Sequence, residues 1–339
     1  MSSLIPESVV ANEPKTNSIM VLALLKKSGL ITSLGVLSNL TILATVWLDH
    51  RLRNSTCCFI CSLAVADLVV LTFAVPREAY QDFLGFWPYS EIMCDVTIVV
   101  DLTFSTASLL SIMLLAVDRY MSIRMPFSYS HWMTKKLVAL TLIAVWTTSI
   151  VTIAVPMYLS HMYNHHELEG EKMVCLAKFM PYSALMVSFF NFGLPCTAMV
   201  YIYTRLYLQA KAASDEIRKL KKSLLRADDV ENRPALTVLQ RFRNDYKAAM
   251  TVGLIMGSYL VCWLPFFVVE ILHSFNQNCC SDLAFKIGIW MGFVNSALNP
   301  IIYGLMDKKI RAAFLMFVWQ SSIAAMPRIS DFYKDRDSN

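Results

Sequence analysis

Seven long apolar runs limit what this 339-residue chain can fold into. A helix needs about 20 mainly apolar residues to cross the roughly 30 Å hydrocarbon core of a bilayer. Runs of about that length or more, with few charges, cover residues 28–48, 56–75, 93–123, 137–159, 181–208, 248–273 and 284–306. The sequence therefore predicts an all-α membrane protein, built as a seven-transmembrane helix bundle over residues 28–306.

The low content of charged residues agrees with this prediction. Only 16% of the residues are charged and 56% are hydrophobic, whereas soluble proteins average about 25% charged residues. A soluble protein with a large core would need more polar residues to cover that core. We therefore expect much of the surface to contact membrane lipid.

The segments outside the apolar runs complete the predicted organisation. Residues 1–27 form an N-terminal segment with no cleavable signal pattern, so the first span is expected to direct its own insertion. Residues 307–319 place apolar side chains at helical spacing opposite basic ones, which predicts a short amphipathic eighth helix on the membrane surface. Residues 320–339 are a predicted cytoplasmic tail. The long basic segment after the fifth run is expected to continue the fifth helix in its first half.

The distribution of Lys and Arg predicts the orientation. With the N-terminus outside, most basic residues fall in inner segments, above all between Arg205 and Lys247, in agreement with the positive-inside rule. The expected location is the plasma membrane, crossed several times, with an extracellular N-terminus. No basic patch interleaved with aromatic residues is present, so no nucleic-acid partner is expected.

Four cysteines lie on the predicted outer side, where disulfides persist. Cys94 opens the third span and Cys175 follows the fourth, and a bridge between them would fix that loop across the outer mouth of the bundle. This pair is the predicted disulfide. For Cys279 and Cys280, a local bridge and two free thiols both remain open.

Two acids lie deep within apolar runs, at Asp67 and Asp101. A charge at mid-bilayer costs several kcal/mol, so such acids usually face the bundle interior and have a function. No Lys or Arg stands at a depth similar to Asp101 in another span, which predicts that a cationic ligand, such as a protonated amine, pairs with it. The alternative is a structural acid bonded to a neighbouring helix.

Aromatic residues of the sixth run are candidates to surround that cation. Trp263, Phe266 and Phe267 flank Pro265, a residue that kinks helices. Aromatic faces beside a carboxylate can enclose a cation and its attached ring. The alternative is ordinary aromatic packing between helices.

The chain resembles the rhodopsin-like (class A) G-protein-coupled receptors over its whole length. Most of the markers are short motifs, namely "SNLTIL", "LAVADL", "DRY", "CWLP" and "NPIIY". Single residues at the expected places add to them: Asn39, Cys94, Trp146, Pro195 and Tyr203. Asp101, "CWLPFF" and Trp290 are similar to the biogenic-amine and trace-amine branch.

The resemblance implies roles for three groups of residues. The implied ligand-binding residues are Asp101, Leu102, Ser105, Ser188, Asn191, Phe192, Trp263, Phe266, Phe267 and Phe293. The implied ligands of an allosteric sodium ion, the only cofactor expected, are Asp67, Ser108, Asn295 and Asn299. The implied coupling and switch residues are Asp118, Arg119, Tyr120, Tyr203, Asp245, Pro265, Asn299, Pro300 and Tyr303.

Within the switch group, Arg119 is expected to engage the G protein. In the resting state it would pair with Asp118 and with Asp245, and in the active state it would meet Tyr203 and Tyr303. The implied partners are a small amine, a heterotrimeric G protein, arrestin, receptor kinases and membrane lipid.

Several positions depart from the amine-receptor pattern. Phe293 replaces a tyrosine that commonly bonds the amine-binding acid, Thr97 replaces a tryptophan, and Tyr259 replaces a phenylalanine. On the fifth helix, Val187, Ser188 and Asn191 match the usual serines only in part. The identity of the amine and the G-protein class therefore stay open.

Other classes of membrane protein fit less well. A retinal photoreceptor needs a lysine in the seventh span, and none lies between Gly288 and Met306. A transporter would show inverted repeats and glycine-rich broken helices, whereas the chain has only 10 glycines. No nucleophile and base or metal-binding group is embedded in a span, so no enzyme is expected. A class A receptor for a peptide or other non-amine ligand, or an orphan amine-like receptor with constitutive signalling, remains the alternative.

Overall fold

Seven long helices follow one another along the chain. The computed structural model describes residues 15–49, 54–125, 127–163, 175, 179–224, 233–276 and 278–306. The helices are α1 (Lys15–Leu48), α2 (Ser55–Leu84), α3 (Glu91–Arg124), α4 (Lys135–Tyr163), α5 (residues 181–224), α6 (Arg233–Phe275) and α7 (Asp282–Met306). The described ranges contain no β-strand, which confirms the predicted all-α class. The predicted eighth helix and tail lie outside them.

Segments of α1 to α6 are each long and apolar enough to cross a membrane. The seventh helix, α7, has 25 residues and carries the buried polar residues Asn295, Ser296 and Asn299. Its exposed positions include Leu283 and Ile287. Polar groups therefore face the bundle and apolar ones face outward, as expected of a helix in a multi-pass membrane protein.

The second helix runs nine residues further than predicted. It passes through a π-helical turn at Val70–Ala74 and continues through Val75–Leu84. It ends where Gly85 adopts a φ of 74°, a left-handed conformation that favours glycine. The extension brings four more polar side chains into the bundle: Arg77, Glu78, Gln81 and Asp82.

The fifth helix also contains a π-helical turn. It begins as Pro181–Ser188, passes through Phe189–Gly193 and continues as Leu194–Leu224. The predicted continuation of the fifth helix beyond the membrane is therefore confirmed. A one-turn helix, Tyr129–Trp132, lies between α3 and α4.

The third helix occupies the centre of the bundle and contacts α2, α4, α5 and α6. Its buried residues extend from Cys94 to Asp118. Cys94 is bonded to Cys175, which confirms the predicted disulfide, whereas Cys279 and Cys280 are free thiols. We refer below to the Cys94 end and the Arg119 end of the bundle.

Candidate functional site

Asp101 lies inside the Cys94 end of the bundle, and its neighbours differ from those predicted. Arg77 Nη2 approaches Asp101 Oδ2 at 3.7 Å, and Ser105 Oγ donates to Asp101 Oδ1 across 3.5 Å. The prediction that no basic side chain reaches Asp101 was therefore wrong. The cause is the longer α2, which carries Arg77 into the bundle three residues after a π-helical turn.

Arg77 is more closely paired with a second acid. Its Nη2 lies 2.9 Å from Glu78 Oε2, and Glu78 is only 1% exposed. The group formed by Arg77, Glu78 and Asp101 thus holds one positive and two negative charges when ionised. One negative charge therefore remains uncompensated. We assign it to Asp101, because its contact with Arg77 is longer than that of Glu78.

Cys175 is hydrogen-bonded to the same part of α2. Gln81 Nε2 donates to the Cys175 carbonyl at 3.1 Å, and the Cys175 N–H donates to Gln81 Oε1 at 2.9 Å. Together with the disulfide, these bonds join the α2 extension, α3 and the chain at Cys175. Sequence reasoning missed this part of the site, although Gly85 is a helix-end signal that could have revealed the longer helix.

A second ion pair joins α2 to α7. Lys286 Nζ lies 2.6 Å from Asp82 Oδ1, and Trp290 Nε1 donates to Asp82 Oδ2 at 3.3 Å. Phe293 packs edge-on against Trp290 and belongs to a buried cluster with Val70 and Leu71 of α2. Phe293 therefore lies in a different cluster from the aromatic residues of α6.

The aromatic residues predicted on α6 do come together with α5. Phe267 stacks on Phe192 at 4.8 Å between ring centroids, and Trp263 packs edge-on against Phe266 at 5.9 Å. Tyr259 stacks below Trp263 at 6.1 Å. Leu102, next to Asp101, belongs to the same buried core as these rings.

The two polar residues predicted on α5 differ in availability. Asn191 is already engaged, because Thr152 of α4 donates to its Oδ1 at 2.8 Å and its Nδ2 donates to the Val187 carbonyl at 3.0 Å. Ser188 is 5% exposed, and its hydroxyl has no hydrogen-bond partner among the described residues. Of these two residues, Ser188 is therefore the one with an unused polar group.

A polar cluster in the middle of the bundle surrounds Asp67. Ser108 Oγ donates to Asp67 Oδ1 at 2.9 Å, and Asn299 Nδ2 donates to Asp67 Oδ2 at 2.8 Å. Asn295 is 1% exposed. In the part of the chain that the structure describes, the amide oxygens of Asn295 and Asn299 lack partners. Carboxylate, hydroxyl and amide oxygens of this kind suit a hard cation.

The Arg119 end carries a compact charged cluster. Arg119 Nη2 lies 3.2 Å from Asp118 Oδ2 and also bonds the Thr56 hydroxyl. Thr56 donates to Asp118 at 2.6 Å, and Tyr129 donates to Asp118 at 2.5 Å. The predicted pairing of Arg119 with Asp118 is confirmed, whereas the side chains of Asp245 and Tyr303 lie outside the described residues.

Tyr129 keeps its proton in this cluster. Burial and the hydrogen bond to Asp118 raise the pKa of Tyr129 to about 12. The ordinary tyrosine pKa is about 10, so the stabilising bond from the neutral phenol is complete below about pH 10. It is lost only as the pH rises through the raised value.

The remaining predicted switch residues are spread along the helices. Tyr203 of α5 packs closely against Gly253 of α6, and Tyr120 is half-buried on α3. Pro265 and Pro300 lie inside α6 and α7.

Comparison with known proteins identifies the family. Residues 38–303 match the family described as "7 transmembrane receptor (rhodopsin family)". The chain belongs to this family. It is a receptor rather than an enzyme, as predicted.

Named relatives align with most of this rhodopsin-family chain. It is 32% identical to Dopamine receptor 1 of Drosophila melanogaster, over 91% of this chain and 65% of that protein. It is 33% identical to Octopamine receptor beta-1R of the same species, over 84% of this chain and 59% of the relative. It is 30% identical to the Alpha-1A adrenergic receptor of Bos taurus, over 83% of this chain and 64% of that protein. The chain thus spans somewhat less than two thirds of the length of these relatives.

Proposed function

We propose that this rhodopsin-family receptor binds a small protonated amine at the Cys94 end and signals to a heterotrimeric G protein at the Arg119 end. The observation that carries the proposal is the charge around Asp101. Glu78 already pairs with Arg77 at 2.9 Å, so Asp101 needs a further cation. The named relatives are dopamine, octopamine and adrenergic receptors, which supports an amine as that cation.

The surroundings of Asp101 suit an amine with an attached apolar or aromatic group. A charge-assisted hydrogen bond from an ammonium to a carboxylate is about twice as strong as a neutral one. Phe192, Phe266 and Phe267 offer ring faces in the same buried core as Leu102, and Ser188 offers an unused hydroxyl. We place the amine at Asp101 and the rest of the ligand toward α5 and α6.

The test is the substitution Asp101→Asn in cells, screened against a panel of biogenic and trace amines. Truncating one partner of a buried charge pair typically costs a few kcal/mol, so amine potency should fall by about 100-fold or more. Asp95→Asn, on the same helix and half-buried, is the matched control and should keep its potency. Unchanged potency of the Asp101 variant at equal surface expression would contradict the amine site.

Signalling is proposed to follow a population shift. The amine binds the active arrangement better than the resting one and biases the bundle toward it. Arg119→Ala should keep amine binding but abolish nucleotide exchange on the G protein, because Arg119 is proposed to contact the G protein in the active arrangement. Retained exchange would remove Arg119 from this role.

We further propose that the oxygens around Asp67 hold a sodium ion in the resting arrangement. The residues fit such an ion, because Asp67 is hydrogen-bonded to Ser108 and Asn299, and the buried Asn295 and Asn299 keep amide oxygens without partners among the described residues. A bound ion there would supply positive charge beside a carboxylate that is 0% exposed. Replacing sodium by a larger organic cation should raise amine affinity in the parent receptor and have no effect in Asp67→Asn.

We infer an extracellular N-terminus and a plasma-membrane location from the excess of Lys and Arg in the inner segments. Arrestin and receptor kinases are proposed as further partners at the Arg119 end, because they commonly act on active receptors of the rhodopsin family. Accessibility of an N-terminal epitope tag in intact cells tests the orientation.

A further inference from the structure

Glu270 is a second buried carboxylate at the Cys94 end. It lies on α6 and is 3% exposed. The backbone N–H of Phe179 donates a hydrogen bond to it, while its Oε2 has no hydrogen-bond partner in the described part of the chain. Among the described residues, no Lys or Arg lies within ion-pairing distance of it. An ionised carboxylate that is buried without a paired cation lowers the stability of the folded protein.

The other acids at this end are already paired. Lys286 compensates Asp82 at 2.6 Å, and Arg77 compensates Glu78 at 2.9 Å. Asp101 then has only a share of Arg77, and Glu270 has no Lys or Arg partner among the described residues.

Glu270 and Asp101 border the same buried region. Glu270 follows Phe266 by four residues, which is about one helical turn, so it lies on the same face of α6 toward the Cys94 end. Its hydrogen-bond partner Phe179 belongs to one buried core with Phe266, Phe267 and Leu102. Leu102 directly follows Asp101, so one hydrophobic core borders both acids.

We propose that the preferred ligand is a diamine, with one ammonium group at Asp101 and the second at Glu270. This proposal rests on the amine function proposed above and specifies the class of amine. A ligand hydroxyl could hydrogen-bond Glu270 but would not stabilise its ionised form. A second ammonium supplies both the hydrogen bond and the charge, and the apolar chain between the two ammonium groups would pack on Phe266 and Phe267.

The test compares straight-chain diamines with monoamines of equal length on the full receptor in cell membranes. Putrescine, cadaverine and their longer homologues are the diamines, the matching alkylamines are the monoamines, and nucleotide exchange on the G protein is the readout. In the parent receptor the best diamine should be more potent than its matched monoamine by about tenfold or more. Glu270→Gln should remove this preference and change monoamine potency little.

Two further variants separate recognition from a structural effect. Glu270→Asp keeps the charge but shortens the side chain by one methylene, so the diamine preference should persist with its optimum at a longer chain. Glu91→Gln, in the first turn of α3 and half-buried, is the control and should retain the parent preference. Surface expression and exchange without ligand are measured for each variant.

The remaining outcomes distinguish a failure of the diamine proposal from a failure of the amine function. Equal potency of diamines and monoamines on the parent receptor, or an equal loss of both in Glu270→Gln, would overturn the diamine proposal and leave the amine receptor intact. Failure of every amine on a well-expressed receptor would overturn the amine function, and the diamine proposal with it.

Discussion

At the scale of single residues, the sensitivity of the Cys94 end depends on how charge is divided among three neighbours. Arg77 is 2.9 Å from Glu78 and 3.7 Å from Asp101, so it is shared unequally between two acids. Glu78 needs no contact with a ligand to influence binding. It pairs with Arg77 more closely than Asp101 does, so Asp101 is only partly compensated and the proposed ammonium group can pair with it.

The first prediction follows from this division. Glu78→Gln removes one acid, so Arg77 should pair fully with Asp101 and compete with the amine. Amine potency should fall by about tenfold or more, measured as nucleotide exchange at equal surface expression.

A double variant serves as the control. Arg77→Gln combined with Glu78→Gln removes the cation together with its partner, and amine potency should return close to that of the parent. A double variant as weak as Glu78→Gln alone would mean that Glu78 acts through structure or direct contact rather than through Arg77.

At the scale of helices, the sequence predicted the seven elements well and their irregularities poorly. The length of an apolar run follows from bilayer thickness, which is why seven helices were found. The π-helical turns at Val70–Ala74 and Phe189–Gly193 leave no mark in hydrophobic periodicity, since they depend on packing against neighbours. The acids at Asp67 and Asp101 were predictable from their cost in lipid, whereas Arg77 was missed because the end of α2 was misplaced.

A close approach of α6 and α7 at Gly288 gives the second prediction. A Cβ at Gly288 would lie 2.9 Å from Phe266 Cα and 3.1 Å from its backbone N, and backbone atoms cannot rotate away. Gly288→Ala should therefore push the helices apart and cost about 1–3 kcal/mol. The expected result is a lower apparent Tm of the purified receptor and weaker amine binding through the displaced Phe266.

Gly257 provides a matched control on α6. A Cβ there would meet nothing within 4 Å, so Gly257→Ala adds only helix propensity, up to about 1 kcal/mol of stabilisation. Its apparent Tm should equal or exceed that of the parent. Equal destabilisation by both substitutions would show that the close approach at Gly288 has no special cost.

At the scale of the whole molecule, the two ends are connected through buried polar contacts. Asp67 joins α2 to α3 through Ser108 and to α7 through Asn299, and Asn39 of α1 donates to the Ser296 carbonyl of α7 at 3.2 Å. These contacts lie between the amine region and the cluster at Arg119. A change in helix arrangement at one end would have to rearrange them, which is how a population shift could reach the other end.

The third prediction tests that connection from the Arg119 end. Asp118→Asn removes the ion pair with Arg119 and keeps only one oxygen, which can accept from Thr56 or from Tyr129. The arrangement that releases Arg119 therefore becomes more populated. Exchange without ligand should rise by about fivefold or more, within the usual range of allosteric coupling energies. The apparent affinity for the amine should rise by a similar factor, because a larger fraction of receptors is already competent to bind it.

Asp215→Asn, exposed on α5, is the control and should change neither the exchange without ligand nor the amine affinity. A rise in basal exchange with no gain in amine affinity would mean that the Arg119 cluster gates the G-protein surface alone and that the two ends are not coupled through the bundle.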